Sequence, residues 1–187
     1  MNLAALPRER DGHSQALLSR WRPITYFLIL IAWIAILPNV IPDRNSDRGI
    51  FVSVAERLLA GDILYKEVLD NKEPLFYYFV AAQRLIGAYG EIIGELVLLY
   101  AACYAVYKIG KSVLVKNIAL LLSWILAPFI LIGEHYIPGY TELIGITLVI
   151  SIVYAATAQR PLLAGALAAV LLFSKLPFFP LGVVPLA

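Results

Sequence analysis

Residues that could carry out polar chemistry cluster in one stretch of this otherwise apolar chain, from Asp47 to Tyr78. The acids and bases of this stretch include Asp47, Arg48, Glu56, Arg57, Lys66, Glu67, Lys72 and Glu73. A carboxylate can take the proton of a hydroxyl group, and lysine or arginine can hold a phosphate. Because the stretch directly follows the first membrane-length apolar run, it predicts polar chemistry at a membrane surface.

Two ionisable residues further along the chain belong to the same hypothesis. Glu142 follows Thr141 at the start of a later apolar segment, and Lys175 lies inside the last one. Ionisable groups within apolar segments are costly and often functional. Pro177 and Pro180 come soon after Lys175, which predicts a broken helix that lines a cavity.

Three of these residues also have an ordinary structural explanation. Asp47 and Glu142 are equally well explained as acids at the start of a helix, where the helix dipole favours negative charge. Lys72 is equally typical of a lysine that snorkels toward lipid headgroups. The sequence alone therefore leaves both interpretations of these three residues open.

The composition places the chain among integral membrane proteins. Hydrophobic residues make up 61% of its 187 residues, against about 45–50% in soluble domains. Its one cysteine, Cys103, excludes an intrachain disulfide. No basic stripe with interleaved aromatic residues is present, which excludes nucleic acid as a partner. His135 beside Glu134 lacks the paired spacing of a metal site, so no metal ligands are predicted.

Apolar runs predict about five transmembrane helices. They cover about residues 23–41, 91–107, 117–133, 141–158 and 162–187. A sixth apolar segment, Pro74–Ala88, is short for a span of about 20 residues and contains Gln83 and Arg84. Its apolar residues recur at the i, i+3, i+4 spacing of a helix that lies flat in the membrane interface.

The distribution of basic residues also favours a flat Pro74–Ala88 helix. If this segment crossed the membrane, only four N-terminal arginines would lie inside. If it lies on the outer surface, four more basic residues join them: Lys108, Lys111, Lys116 and Arg160. Basic residues concentrate on the cytoplasmic side of membrane proteins, so the second arrangement is preferred.

The predicted fold is therefore an all-α integral membrane module that covers residues 1–187. Its N-terminus is cytoplasmic, and an external loop of about residues 42–90 contains two amphipathic interfacial helices. The first of these is predicted at Gly49–Ala60, ended by Gly61, and the second begins at Pro74. The chain stops inside an apolar run, which predicts that it is the N-terminal part of a longer protein.

Four phrases of the sequence resemble a known family. They are DRGIF at 47–51, AERLLAGDILYKEVLDNKEPLFYY at 55–78, GYTELIGI at 139–146 and LLFSKLPFF at 171–179. Their order resembles the polytopic glycosyltransferases of the GT-C fold, the group of protein O-mannosyltransferases and aminoarabinose transferases. The resemblance covers most of this chain but only the N-terminal part of a usual member.

The resemblance implies an enzyme of the plasma membrane that transfers a sugar from a polyprenyl-phosphate donor to an acceptor glycan, lipid or protein at the outer face. Asp47 matches the acid that serves as catalytic base, and Glu142 matches a second acid of the same site. Lys72 and Lys175 match donor-phosphate ligands, and Arg48 is a third candidate cation. No cofactor is implied with certainty, although some relatives use a divalent metal. The chain departs from the family's K-P-P phrase, since it reads Lys72-Glu73-Pro74.

Two other classes of protein fit the same sequence. A small membrane transporter would also contain a broken helix with a lysine and acids at helix ends. A catalytically inactive assembly partner would lack the later spans that complete an acceptor site. The charges gather toward the outer face rather than along a midplane path, which favours surface chemistry over transport.

Overall fold

The computed structural model describes residues 11–40, 47–87, 89–132 and 141–183, and the regular structure in these ranges is helical. The all-α class is thus confirmed. The helices are α1 (Asp11–Val40), α2 (Asp47–Leu59), α3 (Pro74–Leu85), α4 (Gly90–Val113), α5 (Lys116–Leu121), α6 (Ala127–Ile132), α7 (Thr141–Thr157), α8 (Pro161–Ser174) and α9 (Phe179–Val183). A π-helical turn, Leu122–Leu126, joins α5 to α6, and a 3₁₀ turn, Leu176–Phe178, precedes α9.

Within the described ranges, one helix is long and apolar enough to cross a membrane by length and composition. It is α4, with 24 residues. Four other apolar helical stretches are shorter: Pro23–Leu37, Lys116–Leu131, Thr141–Thr157 and Pro161–Ser174. Helix length therefore supports one of the five predicted spans and does not support five.

The two helices predicted in the external loop are present. Helix α2 ends just before Gly61, whose φ of +103° suits a glycine turn. Helix α3 begins at Pro74, as predicted, but ends at Leu85 instead of Ala88. Aromatic packing joins the two helices, with the rings of Phe51 and Phe76 perpendicular and their centroids 4.9 Å apart.

The outer face of α3 has the exposed apolar character predicted for an interfacial helix. Leu75, Tyr78 and Leu85 are exposed on it, and Ile86 is exposed just beyond its end. The opposite face, which includes Phe76, is buried against α2. One side of α3 is thus available to a lipid surface while the other belongs to the protein core.

Pro128 explains the interruption between α5 and α6. Proline has no backbone N–H, so the carbonyl of Trp124, four residues earlier, receives no helical hydrogen bond from it. That carbonyl instead accepts a hydrogen bond of 3.1 Å from the indole Nε1 of Trp33 on α1. Upstream, the N–H of Ala127 bonds to the carbonyl of Leu122, five residues back, which widens the turn. The irregular turn therefore attaches this helix to α1.

Contacts between helices define two ends of the bundle. Thr147 contacts the carbonyl of Leu98, and Tyr154 contacts Tyr104 one to two turns further along both helices. Helices α4 and α7 therefore run parallel, and α8 returns antiparallel to them after a short turn. We call the end where α4 and α7 begin the loop end, because the segment that carries α2 and α3 lies there.

The opposite end, which we call the basic end, contains the basic residues Lys108, Lys111, Lys116 and Arg160. The described ranges 97–132 and 143–183 contain no aspartate or glutamate. All described acidic side chains from Glu56 to Glu95, together with Glu142, belong to the loop segment or to the first turns of α4 and α7. In the described ranges the basic end therefore carries basic residues without acids, whereas the loop end carries both, and the candidate site residues are at the loop end.

Candidate functional site

The end of α8 is built around Lys175. The helix stops at Ser174, and the backbone of Lys175 leaves the helical region, with φ −157° and ψ 78°. Pro177 follows in the 3₁₀ turn, where it has no N–H with which to continue the α-helical hydrogen bonds. The predicted break in the last apolar segment is therefore present, and it falls at Lys175 itself.

The ammonium group of Lys175 contacts the start of α7. Its Nζ donates a hydrogen bond of 2.8 Å to Oε1 of Glu142 and another to Oγ1 of Thr141. Only 11% of the lysine side chain is exposed, against 36% for Glu142. A charge-assisted contact of this kind fixes the ammonium group while leaving one side of the carboxylate open. The structure thus brings together two of the predicted site residues, 33 positions apart in the sequence.

Gly145 makes room for the aliphatic part of Lys175. A Cβ atom at this position would lie 3.1 Å from Cγ of Lys175 and 3.0 Å from Cγ of Phe178. Both distances are shorter than an ordinary carbon–carbon contact of about 3.5–4.0 Å. The glycine one turn after Thr141 therefore allows α7 and the broken segment to approach closely enough for the lysine to reach Glu142.

Glu73 joins the loop between α2 and α3 to the same break. Its Oε1 accepts a hydrogen bond of 2.8 Å from the backbone N–H of Leu176, the residue after Lys175. This carboxylate therefore satisfies a backbone N–H group that the interrupted helix leaves without a helical partner. Since Lys72 directly precedes Glu73, the bond also brings the backbone of Lys72 close to Lys175.

A network of short hydrogen bonds shapes the loop that leads to Lys72. Arg57 binds Asp62 at 2.6 Å and donates to the carbonyl of Glu67 at 2.9 Å. Tyr65, in the left-handed region at φ +65°, donates its hydroxyl proton to the carbonyl of Lys72. Burial raises the pKa of Tyr65, and the nearby carboxylates raise it further, so the phenol stays protonated and able to donate. Lys72 is half-buried at the end of this ordered loop.

Arg48 belongs to a second cluster at the loop end. Its Nε and one terminal nitrogen donate to Oε2 of Glu91 at 3.0 and 2.6 Å, and its side chain is only 4% exposed. Arg84 joins the other oxygen of Glu91 at 3.3 Å and Glu56 at 2.5 Å. These four residues line a cavity of about 260 Å³. The Arg48–Glu91 contact indicates that Arg48 holds α2 against α4, and its phosphate contact stays a prediction.

The positions of the predicted site residues fall into three groups. Glu142 and Lys175 are in contact, and Lys72 is tied to them through Glu73. Arg48 lies in the separate ion-pair cluster. Asp47 begins α2, but the described side chains start one residue later, so the prediction for its carboxylate lies outside the described residues, as does that for His135.

Three contacts were not predicted from the sequence. Thr141 accepts a hydrogen bond from Lys175, Glu73 accepts one from the backbone N–H of Leu176, and Glu91 forms a salt bridge with Arg84. Opposite charges at 84 and 91, close to the start of an apolar helix, were the available signal for the last of these. Within the described ranges, no three His, Cys, Asp or Glu side chains are grouped closely enough to share a metal ion. The contacts at the break therefore bring together the ammonium group of Lys175, the carboxylate of Glu142 and the hydroxyl group of Thr141.

Comparisons with known proteins add no relative: no family model, curated protein or solved structure matches this chain.

Proposed function

We propose that this chain is a membrane glycosyltransferase of the GT-C type, or the N-terminal module of one. It would transfer a sugar from a polyprenyl-phosphate donor to an acceptor hydroxyl at the outer face of the plasma membrane. The observation that carries the proposal is the Lys175 arrangement. A broken apolar helix presents a lysine beside Glu142, and Glu73 ties the loop that contains Lys72 to the same break.

The proposed chemistry is a direct displacement at the anomeric carbon of the sugar. Asp47 takes the proton of the acceptor hydroxyl, whose oxygen bonds to the anomeric carbon as the bond from that carbon to the phosphate oxygen breaks. The leaving polyprenyl phosphate gains negative charge, which Lys72 and Lys175 stabilise. One displacement inverts the anomeric configuration. Glu142 holds the Lys175 ammonium group in place.

The proposed membrane arrangement follows from the two ends of the bundle. The basic end would face the cytoplasm and the loop end the outside, in agreement with the positive-inside rule. Helix α4 is long enough by itself to cross the bilayer. Each of the four shorter apolar stretches would need its flanking residues to complete a crossing. Exposed apolar residues of α3 would rest in the outer interface.

The alternative is a transporter. The interruption after α8 at Lys175 favours it, because interrupted helices commonly form transport sites. Transport and transfer differ in their products. A transporter moves labelled substrate across a sealed vesicle without forming a new glycosidic bond, whereas a transferase forms that bond. An inactive partner would do neither.

The test is transfer of radiolabelled sugar from a panel of polyprenyl-phosphate hexoses and pentoses, in membranes that contain the full-length gene product. We expect Asp47→Asn to lower the rate by about 10²-fold or more, the range of a lost general base. Lys72→Met and Lys175→Met should each lower it by roughly 10²-fold, as for one lost oxyanion ligand. Lys66→Met removes an exposed lysine of the same loop and should leave the rate unchanged. Full transfer by the Asp47→Asn variant would refute the proposed base.

A further inference from the structure

Helices α1 and α4 enclose an open groove on a flank of the bundle that the proposed function does not use. Toward the loop end it is a cavity of about 460 Å³ lined by apolar side chains, including Leu30 and Trp33. Toward the basic end it continues as a cavity of about 380 Å³ that Tyr26, Tyr104 and Lys116 line. Tyr100 lines both cavities, so they form one elongated site.

The dimensions of the groove suit a lipid chain. Between Thr25 and Leu37, α1 advances 12 residues along it, or about 18 Å at 1.5 Å per residue. The hydrocarbon core of a bilayer is about 30 Å thick, so one leaflet contributes about 15 Å. The groove therefore extends over about one leaflet, and each cavity is within the size range of ligand pockets.

Its chemistry changes along its length in the way a phospholipid does. The part toward the loop end is lined by aliphatic and aromatic side chains. At the basic end, a smaller cavity of about 70 Å³ is lined by Thr25, Tyr26, Lys116 and Asn117. Lys116 is exposed, and the nearby Lys108 places its ammonium group 5.0 Å from the centre of the Tyr104 ring. Because the described range 97–132 contains no acidic residue, the part of the groove at the basic end has a net positive charge.

We propose that this groove binds an anionic glycerophospholipid of the leaflet at the basic end. Its phosphate would lie at Lys116 and the hydroxyl and amide groups around it, and one acyl chain would extend past Tyr104 and Tyr100 toward Trp33. Basic pockets between membrane helices recognise anionic headgroups in this way. A polyprenyl-phosphate sugar donor would need its phosphate at the loop end. The positive charge of the groove is at the basic end, so the groove does not suit the donor.

Trp33 and Trp124 line the groove and can report its occupant. The full chain, with Trp21→Phe to remove the third tryptophan, is reconstituted in phosphatidylcholine vesicles. A fixed minor fraction of the lipid is dibrominated phosphatidylglycerol or, in the matched arm, dibrominated phosphatidylcholine. Bromine quenches indole fluorescence on contact, so the two arms give the relative association constant of the anionic lipid. We expect a preference of about fivefold or more for phosphatidylglycerol, because one lysine near an anionic headgroup contributes about that factor.

Two variants separate a site from diffuse surface charge. Lys116→Gln should lower the preference about fivefold, whereas Lys116→Arg should retain it. Arg160→Gln removes an equal charge at the same end, away from the groove, and should leave the preference unchanged. Equal quenching by both lipids, or an equal loss for Lys116→Gln and Arg160→Gln, would overturn the proposal. Sugar transfer is not measured, so the result is independent of the proposed enzymatic function.

Discussion

Glu91 is the residue through which three helices of the loop end are joined, and its replacement by glutamine gives a sharp test of the fold. It lies in the first turn of α4 and binds Arg48 of α2 and Arg84 of α3. Glutamine keeps the size of the side chain but removes the charge. Arg48, with a side chain only 4% exposed, would then keep its charge without this carboxylate.

The expected cost follows from the burial of the pair. Removal of one partner of a buried ion pair costs about 3–5 kcal/mol, because the remaining charge is poorly solvated. The contact with Arg84 adds little, since that side chain is 28% exposed and also binds Glu56. We therefore expect Glu91→Gln to lower the free energy of unfolding by about 3 kcal/mol. For a chain of this size, that corresponds to a fall in Tm of roughly 6–12 °C.

Cys103 provides the assay. It is the one cysteine of the chain and is fully buried in α4, so a thiol-reactive fluorophore labels it only when the bundle opens. Labelling during a temperature ramp, in detergent micelles, gives the Tm of each variant. Glu56→Gln is the matched control: it removes a carboxylate of the same network that is 53% exposed, and it should cost less than about 1 kcal/mol.

A double replacement completes the test. Arg48→Met combined with Glu91→Met removes both charges of the pair, so neither is left buried without the other, and apolar replacements of buried pairs are often neutral or stabilising. The double variant should therefore be more stable than Arg48→Met alone. If Glu91→Gln costs no more than Glu56→Gln, the ion pair does not hold α2 against α4 and the reasoning fails.

Three further changes have expected outcomes. Gly90→Ala should destabilise the chain by about 1–3 kcal/mol, because its Cβ would lie 1.7 Å from the carbonyl oxygen of Gln83. Gly165→Ala should not destabilise it, because the space around Gly165 is open. Equal Tm values for the two variants would contradict this prediction. Ser123→Ala should leave the Tm unchanged or raise it, since the hydroxyl is buried without a hydrogen-bond partner in the described structure; a fall of several degrees would show a hidden partner. The raised pKa of Tyr65 should contribute stability below about pH 10 that is lost as the pH rises further, because the unfolded state then releases the phenolic proton first. Chemical unfolding should show this loss in the wild type and less of it in Tyr65→Phe, and identical pH profiles would contradict it.

Local signals in the sequence predicted several elements well. Gly61 and Pro74 mark the end of α2 and the start of α3, because each residue restricts the backbone in a way that few others do. The break at Lys175 was predictable for the same reason, from Pro177. Helix length was less predictable, since hydropathy does not reveal where a helix is interrupted: Pro128 divides one apolar run into α5, a π turn and α6.

Long-range contacts were the part that sequence reasoning could not supply. The sequence predicted that Lys175 and Glu142 converge in one cleft, but not which atoms meet. Their contact depends on Gly145, whose missing side chain lets the two segments approach each other. Arg48 shows the opposite case. As an isolated cation beside Asp47 it was a reasonable phosphate ligand, but Glu91, 43 residues away, binds the guanidinium group. Transfer of that charge to a phosphate would break a buried ion pair and leave the glutamate with its longer contact, 3.3 Å, to Arg84. The proposed phosphate contacts therefore rest on Lys72 and Lys175, whereas the observed contacts of Arg48 are those of a residue that positions helices.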